Sequence, residues 1–207
     1  MANDTASSLV TKPSDREQLS RDAWLDAAAT AVAEGGFDNV RVLTLAKRLG
    51  VTRGSFYWHF QDHAELVTSF LDRWRDRRLR ELVHLKPASK DIETEVHRIV
   101  HMLLSEPART TRRMRIELAV RDFARREPYA AKIVAEVDAA RVAQTASLLQ
   151  NVTGNAQRAR DLALLFYIAT IGAQVVLTAS HEGEEAIVRM ERLIAEILAA
   201  KGCLGEA

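Results

Sequence analysis

The sequence predicts an all-α protein with a small N-terminal helical domain and a larger C-terminal helical region. Apolar residues recur at the i, i+3, i+4, i+7 spacing of one helix face through most of the chain. Glycines suited to helix ends and prolines suited to helix starts separate these stretches. The helical pattern breaks most clearly at residues 86–89, KPAS, so we expect the two regions to meet near there.

The first helix is expected to run from Ser20, a suitable N-cap, to Glu34. Gly35 and Gly36 end it, and Phe37 then returns to the core. Residues 1–17 are small, polar and without apolar periodicity, which is typical of a disordered tail.

The next stretch, residues 42–60, predicts two short helices joined by a tight turn. Its first half places Val42, Leu45, Ala46 and Leu49 on one helix face. Gly50 is suited to the left-handed conformation that ends this helix, and the side chain of Thr52 is expected to cap the second. Phe56 and Phe60 would anchor the second helix. The remaining side chains face outward, as in a helix-turn-helix that enters the major groove: Arg53, Ser55, Tyr57, Trp58 and His59.

From about Ser20 to Leu66, the chain resembles the DNA-binding region of the TetR family of bacterial transcriptional repressors. The matching residues are Ala28, Gly36, Phe37, Leu45, Ala46, residues 50–57, His59, Phe60 and Leu66. The resemblance implies a three-helix helix-turn-helix domain joined by a fourth helix to a larger ligand-binding and dimerisation domain. The expected division is a tail at 1–17, a DNA-binding domain at 18–78 and a C-terminal domain at 79–207. The tail has an alternative role as a minor-groove arm that uses Lys12 and Arg16.

Two residues depart from the family pattern. Arg41 stands where the family usually has a Ser or Thr that caps the first helix of the motif. His63 replaces a Lys that commonly contacts phosphate in the family. That contact is therefore either lost or dependent on pH, because the reference pKa of His is near ~6.5.

Individual DNA contacts can be assigned from residue chemistry. We expect Arg53, Ser55 and Trp58 near base edges, because Arg pairs bidentately with guanine. We expect Thr52, Tyr57 and His59 to face phosphate, with His63 as a further candidate. Trp58 packed on its own helix and Tyr57 half in the core are the alternatives.

Charge gives no indication of nucleic acid. The chain has a formal net charge of +1. The region from Lys12 to His63 balances seven bases against seven acids: Lys12, Arg16, Arg21, Arg41, Lys47, Arg48 and Arg53 against Asp15, Glu17, Asp22, Asp26, Glu34, Asp38 and Asp62. The DNA-binding prediction therefore rests on the geometry of the motif.

Asp62 and Glu65 have capping-box spacing, so a fourth helix should begin near His63 and run to about Leu82. Further helices are expected at about 91–105, 109–125, 128–152, 155–181 and after residue 184. The segment at 109–125 is rich in arginine and holds two acids, Glu117 and Asp122. We interpret it as a solvated face paired with acids elsewhere, with an anion or acidic-ligand site as the alternative.

The helix expected at 155–181 is apolar nearly all round, which indicates burial on more than one side. Ordinary core is one explanation. The family resemblance implies another, in which the last two helices pair with those of a second subunit in a four-helix bundle. The expected homodimer contacts are Leu162, Phe166, Ala169, Ala173, Val176, Met190, Ile194 and Ile197.

The resemblance further implies a ligand pocket inside the C-terminal helices, whose filling shifts the fourth helix. Candidate lining residues, which would serve equally as plain core, are Phe70, Trp74, Met102, Met114, Phe123, Phe166 and Tyr167. Their character predicts an apolar or aromatic effector. The expected function is a repressor that binds a palindromic operator as a dimer and is released by this effector. The alternative is an architectural or activating DNA-binding protein without ligand control.

Enzyme and membrane classes are not favoured. The sequence contains no Gly-rich phosphate loop, no nucleophile elbow and no H-E-x-x-H motif. His97 and His101 lie four apart, but no nearby Cys completes a metal site, so we expect neither metal nor cofactor. The chain has no apolar run long enough to span a bilayer and no signal-peptide core. A single cysteine, Cys203, fits a reducing compartment, so the expected location is the bacterial cytoplasm, at the nucleoid.

Overall fold

A computed structural model of the chain describes residues 20–83 and 111–176, together with 94, 98, 185, 186, 189, 192, 193 and 196. The helices are α1 (Arg21–Gly35), α2 (Val42–Arg48), α3 (Arg53–Phe56), α4 (His63–Val83), α5 (Thr111–Ala124), α6 (Pro128–Thr153) and α7 (Ala156–Val176), with a 3-10 turn at Phe37–Asn39. None of the described residues lies in a strand, and the all-α class is confirmed. The predicted tail, the break at 86–89, and His97 and His101 lie outside the described residues, as does most of the last predicted helix.

Local sequence signals set most of the helix ends. The side chain of Ser20 accepts a hydrogen bond from the Ala23 N–H at 3.3 Å, as predicted for an N-cap. The carboxylate of Asp62 accepts one from the Glu65 N–H at 2.8 Å at the start of α4. Pro128 occupies the first turn of α6, where its missing N–H costs no hydrogen bond.

The first four helices surround a dense aromatic core. Trp24 of α1 meets Phe56 of α3 edge-on, with ring centroids 5.4 Å apart, and Phe56 stacks on Phe60 at 5.3 Å. All three side chains are almost completely buried. The predicted anchoring of the second motif helix through Phe56 and Phe60 is therefore confirmed.

This core continues into the C-terminal helices. Phe37 stacks on Phe123 of α5, with centroids 4.0 Å apart, and meets Phe70 of α4 edge-on at 5.6 Å. Val120 and Val137 belong to the same buried cluster as Trp24. The two predicted domains thus share one apolar core, and the division at residues 78 and 79 stays a prediction.

The long helix α4 connects the two ends of this arrangement. It packs on α1 at one side and on α6 at the other, while α5 bridges α1 and α6. Helices α6 and α7 lie along each other. Within the described ranges, no helix is both long and apolar enough to cross a membrane.

Candidate nucleic-acid interface

The turn between α2 and α3 has the geometry of a helix-turn-helix. Gly50 adopts φ 68°, the left-handed conformation that glycine accepts without strain. The N–H of Val51 then donates to the carbonyl of Ala46 at 3.0 Å and draws the chain back onto α2. Leu45 and Ala46 are buried, so α2 is held by the face that the spacing predicts.

One detail of the predicted turn is wrong. Thr52 occupies the N-cap position of α3 with extended backbone angles, but its side chain makes no capping hydrogen bond. The backbone instead closes the turn, with the Ser55 N–H donating to the Thr52 carbonyl at 3.1 Å. The Thr52 residue is exposed, so its hydroxyl is available to an external acceptor such as phosphate.

The outer surface of α3 and the turn after it carries large exposed side chains. Trp58 is 86% exposed and Tyr57 is 52% exposed. Arg53 is also exposed, and its Nη2 donates to the Tyr57 hydroxyl at 3.1 Å. Ser55 and His59 are half-buried. The alternative in which Trp58 packs against its own helix is excluded by its exposure.

Arg21 holds this surface in place, and nothing in the sequence pattern singled it out. Its guanidinium donates to the His59 carbonyl, to Glu65 at 2.8 Å and to the Ser69 hydroxyl at 2.7 Å. It also lies 4.2 Å from the centre of the Phe60 ring. The Arg21 side chain, at the start of α1, therefore connects the turn after α3 to α4.

The two departures from the family pattern have structural counterparts. Arg41 gives α2 no side-chain cap, and its Nε donates instead to the Asp38 carbonyl at 3.0 Å. The Nε2 of His63 lies 2.6 Å from the Val40 carbonyl, which can only accept a hydrogen bond. Nδ1 is therefore the ring nitrogen that remains for phosphate, and the DNA contact of His63 stays a prediction.

Comparisons with known proteins agree with this geometry. The sequence profile for "Bacterial regulatory proteins, tetR family" matches residues 25–69, which cover most of α1 through the start of α4. The N-terminal domain belongs to the TetR family. The predicted resemblance is confirmed, and the DNA-binding, helix-turn-helix character follows from it.

Curated relatives match the same TetR-type domain. The HTH-type transcriptional regulator TtgR of Pseudomonas putida is 36% identical over 64 residues, which are 31% of this chain and 30% of that protein. The regulator AcrR of Shigella flexneri is 35% identical over 57 residues, 28% of this chain and 26% of that protein. The match thus spans less than a third of these relatives, so their activity as whole proteins is not transferred by it.

Solved structures share the fold over most of the chain. A putative transcriptional regulator from Saccharomonospora viridis in complex with choline has a TM-score of 0.67 at 19% identity, covering 87% of this chain and 96% of that one. A TetR transcription regulator from Haloarcula marismortui has a TM-score of 0.65 at 16% identity, covering 85% and 96%. At this identity the likeness shows the fold: a TetR-type N-terminal domain followed by a helical C-terminal one.

The predicted pocket residues divide between two environments. Phe70 and Phe123 pack against Phe37 in the core shared by the two domains. Trp74 and Phe166 are buried, whereas Met114 and Tyr167 are half-buried. Met102 lies outside the described residues. Phe70 and Phe123 thus have the packing of plain core, and the pocket assignment stays a prediction.

The predicted dimer contacts on α7 also separate. Phe166 is buried within the chain itself, so its side chain is not available for the predicted dimer contact. Leu162 and Ala169 are half-buried, and Val176 is 76% exposed. Four apolar side chains absent from the prediction are exposed beside them: Leu164, Leu165, Ile168 and Val175. The side chain of Ala173, together with Met190, Ile194 and Ile197, lies outside the described residues.

The arginine-rich helix α5 is paired with acids, partly in the interior. We define the charged cluster as Arg78 and Glu81 of α4, Arg113, Glu117 and Arg121 of α5, and Asp138 and Arg141 of α6. Its ion pairs join all three helices, with Glu117 placed 3.0 Å from Arg141 and 2.9 Å from Arg121. Of the arginines in the segment 109–125, Arg121 is largely withdrawn from solvent, so the expectation of a solvated face is wrong there, while pairing with acids is confirmed for Arg113 and Arg121. In the described ranges, no three His, Cys, Asp or Glu side chains group in a way that could hold a metal.

The cluster shifts the acid–base behaviour of its members. Burial opposes the charge of Glu117, but the hydrogen bond and charge of Arg141, with the charges of Arg121 and Arg78, outweigh it and lower its pKa. Burial, together with the hydrogen bond that its hydroxyl donates to Asp138, raises the pKa of Tyr167 to about 12. Glu117 is therefore ionised and Tyr167 neutral at pH 7.

Proposed function

We propose that this protein is a transcriptional repressor of the bacterial cytoplasm that binds a palindromic operator at the nucleoid as a homodimer. The observation that carries the proposal is the short helix α3, anchored by the buried Phe56 and followed by the exposed Trp58. Arg53 and Tyr57 extend the same exposed surface. A buried anchor beneath exposed donors and aromatics is the arrangement that lets a helix enter a major groove.

Arg53, Ser55 and Trp58 are proposed to contact base edges, and Thr52, Tyr57, His59 and His63 to contact phosphate. The hydrogen bond between Arg53 and Tyr57 orients both side chains before DNA arrives. Because positively and negatively charged residues balance over this region, non-specific attraction to DNA should be modest. High affinity for the operator then requires that the two helix-turn-helix motifs of a dimer bind the same duplex together.

Selection from random duplex DNA, followed by footprinting, tests the proposal. One or a few palindromes support a regulator, whereas diffuse protection supports an architectural role. On the selected site, Arg53→Ala should reduce discrimination against mismatched bases by about 1–3 kcal/mol and change the salt dependence little. Arg115→Ala, a matched loss of one exposed charge on α5, should leave both unchanged. Equal weakening of Arg53→Ala on all sequences would contradict base contact.

The exposed apolar face of α7 is the proposed dimer surface. Ile168 is 60% exposed, and Leu164, Leu165 and Val175 are exposed beside it. A charge buried there would be left unpaired, so Ile168→Glu should shift the protein to monomer in sedimentation velocity and weaken operator binding. Leu43→Glu places the same charge on an apolar residue of α2 that is 69% exposed, and should leave the oligomeric state unchanged. An unchanged dimer in Ile168→Glu argues against this surface.

Release by a small apolar or aromatic effector completes the proposal. Such a molecule would bind among the C-terminal helices and act through α4, which packs on both α1 and α6. Allostery requires two sites and two states with different affinities, and we expect both sites to contact α4. Operator binding measured in the presence of apolar compounds tests release.

A further inference from the structure

The charged cluster holds more positive than negative charge. Within the described part of the chain it contains four arginines and three carboxylates: Arg78, Arg113, Arg121 and Arg141 against Glu81, Glu117 and Asp138. Each carboxylate already contacts at least two of these arginines or an arginine and a hydroxyl. Among the described residues, the cluster therefore carries one more positive than negative charge.

Two buried polar atoms, one in the cluster and one on a residue beside it, also lack hydrogen-bond partners among the described residues. These are the indole Nε1 of Trp74 and the Nε of Arg78, whose side chains are 5% and 4% exposed. The Arg78 Nε lies 3.7 Å from the nearest oxygen of Glu117, which is too long for a hydrogen bond. An unpaired buried donor is costly, and both of these groups can only donate.

The two residues that carry these unpaired donors are neighbours. Trp74 and Arg78 are one turn apart on α4, and the Arg78 guanidinium carbon is 5.8 Å from the centre of the Trp74 ring. The indole of Trp24 also has an unpaired Nε1, but it lies in the aromatic core against Phe56, and no cluster arginine is described there. Of the two unpaired indole donors, the one on Trp74 is therefore the one whose residue lies beside a second unpaired donor, the Nε of Arg78.

Acid–base behaviour agrees with a charge deficit at this position. Burial lowers the pKa of Arg78, and the charge of Arg113 lowers it further against the attraction of Glu81 and Glu117. A ligand that brings one negative charge and an acceptor oxygen would relieve both the charge imbalance and the unpaired donors.

We propose that the effector is an organic acid whose carboxylate accepts hydrogen bonds from Trp74 Nε1 and Arg78 Nε, with its apolar body against the neighbouring helices. This inference rests on the proposed function and names the chemical class of the effector. An organic acid differs from a purely apolar ligand because it offers an acceptor to the two unpaired donors.

Such a ligand would act directly on the helix that positions the DNA-binding domain. Arg78 is linked to Glu81 at 3.0 Å within α4, and Glu81 in turn accepts from Arg113 of α5. Nearer its N-terminal end, α4 holds α1 through the pairing of Arg73 with Asp26. A carboxylate that draws Arg78 away from Glu81 and Glu117 would weaken the contact between α4 and α5. The orientation of α4 relative to α1 would then change.

Thermal shift and titration calorimetry on the full chain test this with defined probes. Benzoate and octanoate should raise the midpoint of unfolding and bind, whereas the neutral benzamide and octanamide should not. Inorganic phosphate and acetate test whether any anion suffices. Equal effects of acids and amides, or equal effects of phosphate and the organic acids, would overturn the proposal, as would no effect of either acid.

Conservative variants locate the site. Trp74→Phe keeps an aromatic ring, although a smaller one, and removes the donor, so benzoate and octanoate should bind about tenfold or more weakly. Trp24→Phe removes the other unpaired indole donor and should leave their affinity unchanged. Equal binding to wild type and Trp74→Phe sinks the assignment.

Operator binding in the same samples separates this inference from the proposed function. With wild-type protein, benzoate or octanoate should lower operator affinity. Normal operator binding that neither acid alters removes the organic-acid effector alone. Absence of any sequence-specific DNA binding, with or without the acids, removes the proposed function itself.

Discussion

The N-terminal and C-terminal parts of this molecule are each stabilised by a different kind of contact. Around α3, the contacts are aromatic and aliphatic, as in the packing of Trp24 on Phe56 and of Phe56 on Phe60. Between α4, α5 and α6, seven charged side chains of the charged cluster bridge the helices through ion pairs. Close apolar packing holds the helix-turn-helix motif in one shape, as a surface that contacts DNA requires.

Ion pairs respond differently to change. An apolar contact depends mainly on the volume that fills the space, whereas a buried charge depends on the presence of its partner. The C-terminal region can therefore be rearranged by one added or removed charge, while the N-terminal region should respond less, because its ion pairs, such as Arg21 with Glu65, are partly exposed. Three substitutions test this contrast, beginning with the one expected to have the largest effect.

Glu117→Gln should be the most destabilising. The side chain is 6% exposed and pairs with Arg121 and Arg141, so its loss leaves buried guanidinium groups without their carboxylate. We expect the free energy of unfolding in urea to fall by about 4–5 kcal/mol. Glu136→Gln is the matched control, because Glu136 is largely exposed and its contact with Arg75 is 3.9 Å, so the loss should stay below about 1 kcal/mol. Similar losses in both variants would mean that the charged cluster is not special.

Phe37→Ala should be next, because Phe37 fills the junction between the two regions. Its ring stacks on Phe123 and meets Phe70 edge-on, so truncation leaves a cavity that rigid neighbours cannot fill. The expected loss in urea denaturation is about 3–4 kcal/mol. Trp58→Ala removes a larger ring that is 86% exposed, and should change stability by less than about 0.5 kcal/mol while weakening operator binding. A large stability loss in Trp58→Ala would show that this ring is part of the core.

Of the three test substitutions, Tyr167→Phe should have the smallest effect near neutral pH, about 1 kcal/mol, because Asp138 keeps its contact with Arg121 at 2.7 Å. Its signature lies in alkaline solution. The folded pKa of about 12 is above the reference value of 10.0, so folded Tyr167 keeps a proton that the unfolded chain loses. The associated stability is complete below pH 10 and is lost as the pH rises toward 12. Tyrosinate absorbance should show a titration near pH 12 that Tyr167→Phe removes; an unchanged titration would contradict the assignment.

Much of the local structure follows from the sequence. The N-caps at Ser20 and Asp62, the start of α6 at Pro128 and the turn at Gly50 are signals carried by one or a few adjacent residues. Each acts on backbone groups within a few positions, so it operates wherever the segment lies. The apolar face of α2 and the anchor at Phe56 follow in the same way from spacing along a helix.

Which residues distant in the sequence contact each other was determined by the tertiary structure. Arg21 meets the His59 carbonyl across 38 positions, and Tyr167 meets Asp138 across 29. Phe166 has the same apolar character as Leu165, yet the first is buried within the chain and the second is exposed. Spacing tells which residues share a helix face, but the direction of that face depends on how the helices cross.

Within the described ranges, what this sequence determined by itself is the helices, most of their ends and the helix-turn-helix motif, because those depend on short-range backbone chemistry. What only the tertiary structure decided is which charges became buried together. Arg78, Glu117 and Arg141 come from three helices. Their shared environment exists only after apolar packing has brought α4, α5 and α6 into contact.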